Sequence, residues 1–396
     1  MMEKFITVNR ARVLLEENIS SIEPSYLPIS EIGGLRLAED ILAPNDIPYF
    51  NQSSVDGYAF IFDSADTQLK IVGQVQAGPN EKVNIQKGEA IRIFTGAPVP
   101  SGADTIVMQE KVSIEGDNLT ILDTQLKKGD NLRKVGSEIP KNAIAIKKGM
   151  VMNAAAIGVV ASLGIANAKV IPAPQVTIIV TGNEIKKPGE ELSFGEVYDS
   201  SSFAMKSILE KLGCKNIIVK YVKDELSDIV AELKSAMDSS DLILLTGGVS
   251  VGDYDFTLQA FEACGINSVF HKIKQKPGKP LLFGKYQNKV VFGFPGNPAS
   301  VLTCFYEYVY PSIGRMMELD LDLSKQHLIV KNDYAKPLGL THFLKARVES
   351  NEVSILTGQE SYKISSLAMA NAFVVLGEED DAVKKGDKVQ VHLIPN

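Results

Sequence analysis

Apolar and charged residues alternate at helical spacing over 7–19, with Val8, Ala11, Leu14 and Leu15 on one stripe, which predicts an amphipathic opening helix. From 40 to 150 the pattern shortens to β-favouring runs: Leu69-Lys-Ile-Val72, Ala90-Ile-Arg-Ile-Phe94, Thr105-Ile-Val-Met108 and Asn118-Leu-Thr-Ile-Leu122. Gly, Asp and Pro turns separate them, so an all-β module of hairpins is expected. A helical pattern follows at 153–163. Between 175 and 315 the rhythm changes again. Strands at 176–180, 217–221, 242–245 and 290–294 alternate with helices at 201–212, 225–238, 255–264 and 298–310. That alternation predicts a doubly wound, mainly parallel sheet with helices on both faces. The segment 327–396 returns to β character and ends in Lys388-Val-Gln-Val-His-Leu-Ile394, for which a small barrel or sandwich is the natural solution.

Composition narrows the functional classes. The 396 residues carry 45% hydrophobic and 22% charged side chains, ordinary for a globular multidomain protein. A net charge of −7 speaks against nucleic acid as a partner, since that calls for a basic field. Cys214, Cys264 and Cys304 are too scattered for a disulfide framework and each falls in or beside an apolar helical pattern, so buried thiols in a reducing compartment are expected. The start, Met1-Met-Glu-Lys-Phe5, lacks the features of a signal peptide, and the apolar stretch 154–166 is glycine-broken and too short to span a bilayer. No membrane association is expected, and a cytoplasmic location is.

Candidate chemistry gathers at the strand ends of the α/β region. Thr246-Gly-Gly-Val-Ser-Val-Gly-Asp-Tyr-Asp255 joins an apolar strand to a helical pattern and closes on two acids, Asp253 and Asp255. Glycines admit a ligand to the backbone, a following helix favours an anion, and carboxylates beside a phosphate suggest a cation between them. Thr181-Gly-Asn-Glu184 and Phe294-Pro-Gly-Asn-Pro298 end two further strands, and in a doubly wound sheet all three loops fall on the ligand-binding edge. The spacing at 247–252 is neither a Walker A motif nor G-x-G-x-x-G, which disfavours ordinary nucleotide-triphosphatases and dinucleotide dehydrogenases. Lys276-Pro-Gly-Lys-Pro280, with Lys272 upstream, places positive charge on a proline-constrained loop. On spacing alone that loop reads as a solvated turn, and its neighbours in sequence favour oxyanion binding instead. Asn51-Gln-Ser-Ser-Val-Asp-Gly-Tyr-Ala59 and Thr95-Gly-Ala-Pro-Val-Pro100 read by spacing as structural turns. His271, His327, His342 and His392 show no ligand spacing, and no nucleophile elbow is present, so covalent catalysis is not expected.

Taken in order, these motifs resemble the molybdopterin molybdotransferases, the MoeA-type family related to the E domain of gephyrin. The resemblance runs from about residue 5 to the C-terminus. It rests on Asp46-Ile-Pro-Tyr-Phe50 with Ser54-Val-Asp-Gly-Tyr-Ala59, Thr95-Gly-Ala with Pro100-Ser-Gly-Ala-Asp104, and Gly247-Gly-Val-Ser-Val-Gly-Asp253. Lys276-Pro-Gly-Lys-Pro280, Pro295-Gly-Asn-Pro298 and Ser365-Ser-Leu-Ala-Met-Ala-Asn371 complete it.

The resemblance implies a homodimer of four-domain subunits. An N-terminal helical and extended domain would take residues 1–26, 40–50 and 141–174, and an inserted β module 27–39 and 51–140. A molybdopterin-binding α/β domain would follow at 175–320 and a C-terminal small β-barrel at 321–396. It implies that molybdate and adenylylated molybdopterin give molybdenum cofactor and AMP, assisted by a divalent cation, usually Mg2+, with the partner subunit's β module closing over the cleft. Transient contact with the adenylyltransferase and with molybdopterin synthase would fit that place in the pathway. Two alternatives remain: the preceding adenylylation, whose enzymes resemble only 175–315, and a non-catalytic gephyrin-like scaffold. By motif, the implied catalytic set is Asp56, Thr95, Glu184, Asp224, Asp255, Lys272 and Lys276, with Glu184, Asp224 and Asp255 as metal ligands. Gly247, Gly248, Ser250, Lys279, Pro295, Pro298, Ser300, Arg347 and Ser361 would bind substrate. Departures from the usual family residues are Val55 for Met, Asn183 for Asp, Ser137-Glu138 for Glu-Asp and Ser201 for Asn.

Overall fold

A computed structural model describes residues 2–79, 82–247 and 256–395. The chain forms two compact units. One comprises the residues up to Ser25, Gly34–Arg36 and everything from Ile171 onward; the other comprises Tyr26–Gly33 and Leu37–Val170.

The second unit holds the β module, a six-stranded sheet in the order Val112–Glu115, Asn118–Ile121, Gln68–Val75, Glu89–Ile93, Gly57–Phe60, Thr105–Met108. Its first two strands make the expected hairpin, whereas Gln68–Val75 and Glu89–Ile93 run parallel. Both faces are covered. Tyr58, Phe60, Leu69 and Val107 pack on one side, and Ala59, Ile91, Ile93 and Ile106 on the other, as the two-residue period of a strand requires. The helix Ala154–Ser162 and the short pair Ile41–Leu42 with Ile144–Ile146 belong to the same unit.

The first unit is built on a seven-stranded sheet in the order Glu3–Ile6, Asn267–Ile273, Leu282–Tyr286, Lys289–Phe294, Leu242–Thr246, Val176–Thr181, Ile217–Val222. Every pairing is parallel except the two made by Leu282–Tyr286. From Val176–Thr181 the chain moves outward to Ile217–Val222, then doubles back to Leu242–Thr246. Right-handed crossovers therefore put the helices Ser201–Lys211 and Leu226–Ser239 on opposite faces. Leu226–Ser239 carries Ile229, Leu233, Ala236 and Met237 against Ile179, Ile243 and Leu245, with Phe261 of the helix Phe256–Ala263 beside them. The reversal makes a switch point between Val176–Thr181 and Leu242–Thr246, where doubly wound sheets bind ligands. The expected helix at 298–310 is present as Pro298–Cys304, but it loosens into a π-helical turn, Phe305–Val309, before continuing as Tyr310–Met316.

Strands Thr341–Glu349, Glu352–Ile355, Lys325–Val330, Lys388–Leu393 and Ala372–Leu376 follow one another around the C-terminal sheet, and the last pairs back with the first. This closes a five-stranded barrel filled by Leu328, Val330, Leu344, Val353, Val374 and Val391. A buried ion pair joins it to the rest of the unit: Glu307 from the π-helical turn accepts from Arg12 at 2.6 Å and contacts His392 Nδ1 at 2.8 Å. All three cysteines are buried free thiols. Among the described residues no helix is long and apolar enough to cross a membrane.

Candidate active site

Strands Lys289–Phe294, Leu242–Thr246 and Val176–Thr181 are adjacent and parallel, so the three glycine loops that follow them emerge side by side. Residues 181–184, 246–247 and 295–298 floor a cavity of about 940 Å3 that also takes walls from the lysine loop and from the barrel. At the switch point Thr181 Oγ1 donates to Thr246 O at 3.2 Å. Gly247 follows with φ +88°, and a Cβ there would overlap the Thr181 carbonyl. Only glycine permits this closeness together with that backbone conformation.

The acidic side of the cavity carries Glu184 and Asp224. Gly182, at φ +143°, leaves room for Glu184, whose Oε2 lies 2.9 Å from where a Cβ would stand. Asn183 turns the other way: its Oδ1 accepts from the Asp224 backbone N–H at 3.3 Å, so this residue holds Asp224 in place rather than adding charge. Asp224 Oδ1 is buried and accepts no hydrogen bond. Burial pushes the Asp224 carboxyl above its ordinary value, and the Glu184 charge pushes it the same way. A hard cation between the two carboxylates would relieve both effects, so these residues fit a divalent ion. Among the described residues no group of three or more His, Cys, Asp or Glu forms a metal site, and the third expected ligand, Asp255, lies outside them, as do Gly248, Ser250 and Asp253.

Sequence reasoning did not select Asp199, although it lines the same cavity. It is 5% exposed and accepts from Ser202 N at 3.0 Å, from the Ser202 hydroxyl and from Tyr221 Oη–H at 3.0 Å, which caps the helix Ser201–Lys211 at the cavity wall.

Lys276 and Lys279 line the same cavity as these acids. Lys279 Nζ sits over the Phe5 ring, 4.8 Å from its centroid. Pro295 and Pro298 bracket the third loop, whose Asn297 donates through Nδ2 to Ser361 Oγ at 2.9 Å, while Ala299 N donates to Ser361 O at 3.1 Å. Ser300 is almost fully buried at the cavity wall. Ser361 and Gln359 belong to a loop of the barrel, which is clamped from beneath by Lys345, a side chain only 2% exposed. The Lys345 ammonium donates to Gly358 O at 2.6 Å, Glu360 O at 3.1 Å and Lys363 O at 3.0 Å. Burial holds its pKa below the ordinary lysine value.

Two expected residues stand off the cavity wall. Arg347 is exposed, with Nε on Glu349 at 3.0 Å and Nη1 on the Met369 carbonyl at 3.2 Å. Lys345 and Arg347 share the outer face of the barrel strand, and the loop that carries Ser361 covers Lys345 and not Arg347. Lys272 lies on the Asn267–Ile273 strand with φ +68° and is absent from the cavity lining. In the other unit Asp56 and Thr95 form one hydrogen-bonded pair: Asp56 Oδ1 accepts from Thr95 N and from Thr95 Oγ1, both at 2.8 Å. Those two donors, with the Arg92 charge, hold the Asp56 carboxyl below the usual carboxylate range.

The combination defines a multidomain α/β protein with a closed β-barrel and a polar cleft lined by both lysines and carboxylates, suited to a phosphorylated ligand. Comparisons with known proteins give the family. Residues 6–164 match the model of the MoeA N-terminal region (domain I and II), 177–315 that of a probable molybdopterin binding domain, and 327–394 that of the MoeA C-terminal region (domain IV). A molybdopterin molybdenumtransferase of Haemophilus influenzae is 32% identical over 397 residues, covering 98% of both chains. One from Staphylococcus aureus is also 32% identical, over 90% of this chain and 88% of its own. The crystal structure of a molybdopterin biosynthesis MoeA protein from Pyrococcus horikosii superposes with a TM-score of 0.81 at 30% identity, covering 99% of this chain and all of that one. The chain belongs to the MoeA family.

Proposed function

We propose that this protein is a molybdopterin molybdenumtransferase, which takes adenylylated molybdopterin and molybdate to molybdenum cofactor and AMP. The observation that carries the reading is the cleft at the switch point, lined by Lys276 and Lys279 together with Glu184 and Asp224. The lysines pair with phosphate and molybdate oxygens, and their charge is worth most where the cavity walls exclude water. Ser300, Ser361 and the backbone around Gly247 orient those oxygens, and Pro295 and Pro298 fix the loop that presents Ser300. A divalent cation, Mg2+ on this reading, would be held by Glu184 and Asp224 with Asp255, and would draw negative charge from the phosphoanhydride. Asp56 and Thr95, hydrogen-bonded in the other unit, complete the proposed set. The protein works as a homodimer in the cytoplasm on the same reading.

Incubation of the purified chain with adenylylated molybdopterin, molybdate and Mg2+ tests the proposal. AMP release that depends on molybdate is expected. Release independent of molybdate, or formation of adenylylated molybdopterin from ATP by this chain alone, overturns it.

A further inference from the structure

The lysine loop has an unusual foundation. Gln275, immediately before Lys276, has no exposed surface. Its side chain folds under the loop: Nε2 donates to Pro277 O at 3.1 Å and lies 3.3 Å from Gly278 O and 3.4 Å from Cys304 Sγ. Its Oε1 accepts from the hydroxyl of Tyr308, itself wholly buried. Cys304 Sγ contacts Gly278 O at 3.5 Å and occupies the space that a Cβ on Gly278 would need. Tyr308 belongs to the π-helical turn Phe305–Val309, and such turns concentrate at functional sites because the widened turn re-aims side chains. Gln275, Cys304 and Tyr308 thus form one buried polar cluster, and every partner of the Gln275 amide nitrogen is the lysine loop or the thiol wedged beneath it.

Gln275 satisfies two loop carbonyls and a hydroxyl that would otherwise be buried unpaired, whereas a wholly apolar contact of the same shape would serve stability as well. What the amide supplies is direction, because two loop carbonyls and one hydroxyl fix it from three sides. We propose that Gln275, oriented by Tyr308, is a positioning residue for the oxyanion site: it holds the 276–279 turn in the conformation that presents Lys276 and Lys279 to the cleft. Pre-ordering two long cationic side chains lowers the entropy lost when an oxyanion binds. The inference rests on the proposed function only for the identity of that oxyanion.

Two variants of the full-length chain test it. Tyr308→Phe removes a single hydroxyl. It is expected to weaken binding of molybdate alone, and to raise the KM for molybdate, by about fivefold, the equivalent of one neutral hydrogen bond, with kcat within about twofold. In a Lys276→Ala, Lys279→Ala background the same substitution is expected to have no further effect on binding. An equal loss in both backgrounds would mark Tyr308 as merely structural and overturn the proposal. Gln275→Leu is read by backbone order parameters from NMR relaxation. Values for Gly278 and Lys279 are expected to fall from about 0.85, typical of rigid backbone, toward 0.6. Unchanged order parameters refute the positioning role whether or not molybdate binds. Should the unsubstituted chain fail to bind molybdate while the order parameters fall as expected, the proposed function is wrong and the role of Gln275 stands.

Discussion

Replacing Lys345 by Met is the most informative single change, because it removes three hydrogen bonds and almost no volume. The ammonium donates to the carbonyls of Gly358, Glu360 and Lys363 at 2.6, 3.1 and 3.0 Å. Hydrogen bonds from a charged donor contribute about 1.5–3 kcal/mol each, so the three together amount to about 5–9 kcal/mol. Burying one ammonium offsets several kcal/mol of that. The substitution leaves these carbonyls fewer donors without stripping all of them. The single Ser366 hydroxyl proton serves either Gly358 O, at 2.7 Å, or Lys363 O, at 3.0 Å, and Lys363 N still donates to Glu360 O at 3.1 Å. The net loss is therefore about 2–3 kcal/mol, at the low end for breaking a buried charged contact. It falls on the loop that carries Gln359 and Ser361. Hydrogen exchange at the amides of Lys345 and Lys363 is expected to quicken by about 30- to 150-fold, which is that loss read as local opening. The sign of the pH dependence is a second check. Burial lowers the Lys345 pKa below the unfolded value, so the folded state binds fewer protons in the window between the two. The burial penalty is complete below the folded pKa and is lifted as pH rises toward 10.5, the ordinary value for an unfolded lysine. The unsubstituted chain should gain stability across that window and the Met variant should not gain this contribution. Exchange rates within about twofold of the parent at neutral pH would refute the clamp.

Further outcomes follow from the same geometry. Asp224→Asn is expected to raise Tm at pH 7 while lowering AMP release about 10- to 100-fold, the usual range for weakening a metal shell. Its folded carboxyl is raised by burial and by Glu184, so ionisation costs stability above the folded pKa. The gain in Tm should shrink as pH falls toward the ordinary Asp value of 3.8. Gly247→Ala forces a Cβ onto the Thr181 carbonyl at φ +88° and should destabilise by about 2–4 kcal/mol in chemical denaturation. Thr95→Val removes one of the two Thr95 donors to Asp56, and NMR titration should find the Asp56 carboxyl shifted upward with Tm almost unchanged. Arg347→Ala should alter KM by less than about twofold, whereas Ser361→Ala, which breaks the Asn297 contact, should raise it about fivefold.

The parts of the fold that periodicity carries were legible. Strands Val176–Thr181, Leu242–Thr246 and Lys289–Phe294 fall within a residue or two of their expected ends because they are almost wholly buried apolar runs, and Ile217–Val222 does so because it is rich in β-branched residues. Two strands of the same sheet were not. Glu3–Ile6 is an edge strand with only Ile6 buried, and Asn267–Ile273 interleaves polar residues with Phe270 and Ile273, so neither shows an apolar run. Glu3–Ile6 also earns its place only by pairing with a segment more than 260 residues away. The π-helical turn was equally hidden, since Phe305-Tyr-Glu-Tyr-Val309 reads as an uninterrupted helix.

The site divides along the same line. The glycine-containing segments at 181–184, 246–247 and 294–298 announce themselves locally, because positions such as Gly182 and Gly247 adopt backbone conformations that restrict the residue type. What holds those loops does not. Asn183 carries the backbone of Asp224, Gln275 the carbonyls of Pro277, and Lys345 the loop of Ser361; each is a polar side chain whose partner is a main-chain atom. A carbonyl has no letter in the sequence, so such contacts leave no pairing to read. The choice between Lys345 and Arg347 shows the consequence. Two cations at i and i+2 of one strand share a face, and only the course of the barrel decides which is swallowed. Ala346, on the alternate face, fills the barrel, while the loop from Gly358 to Lys363 folds over Lys345 and leaves Arg347 to solvent, so the residue expected from the family resemblance stands off the cleft and the lysine holds the loop that carries Ser361.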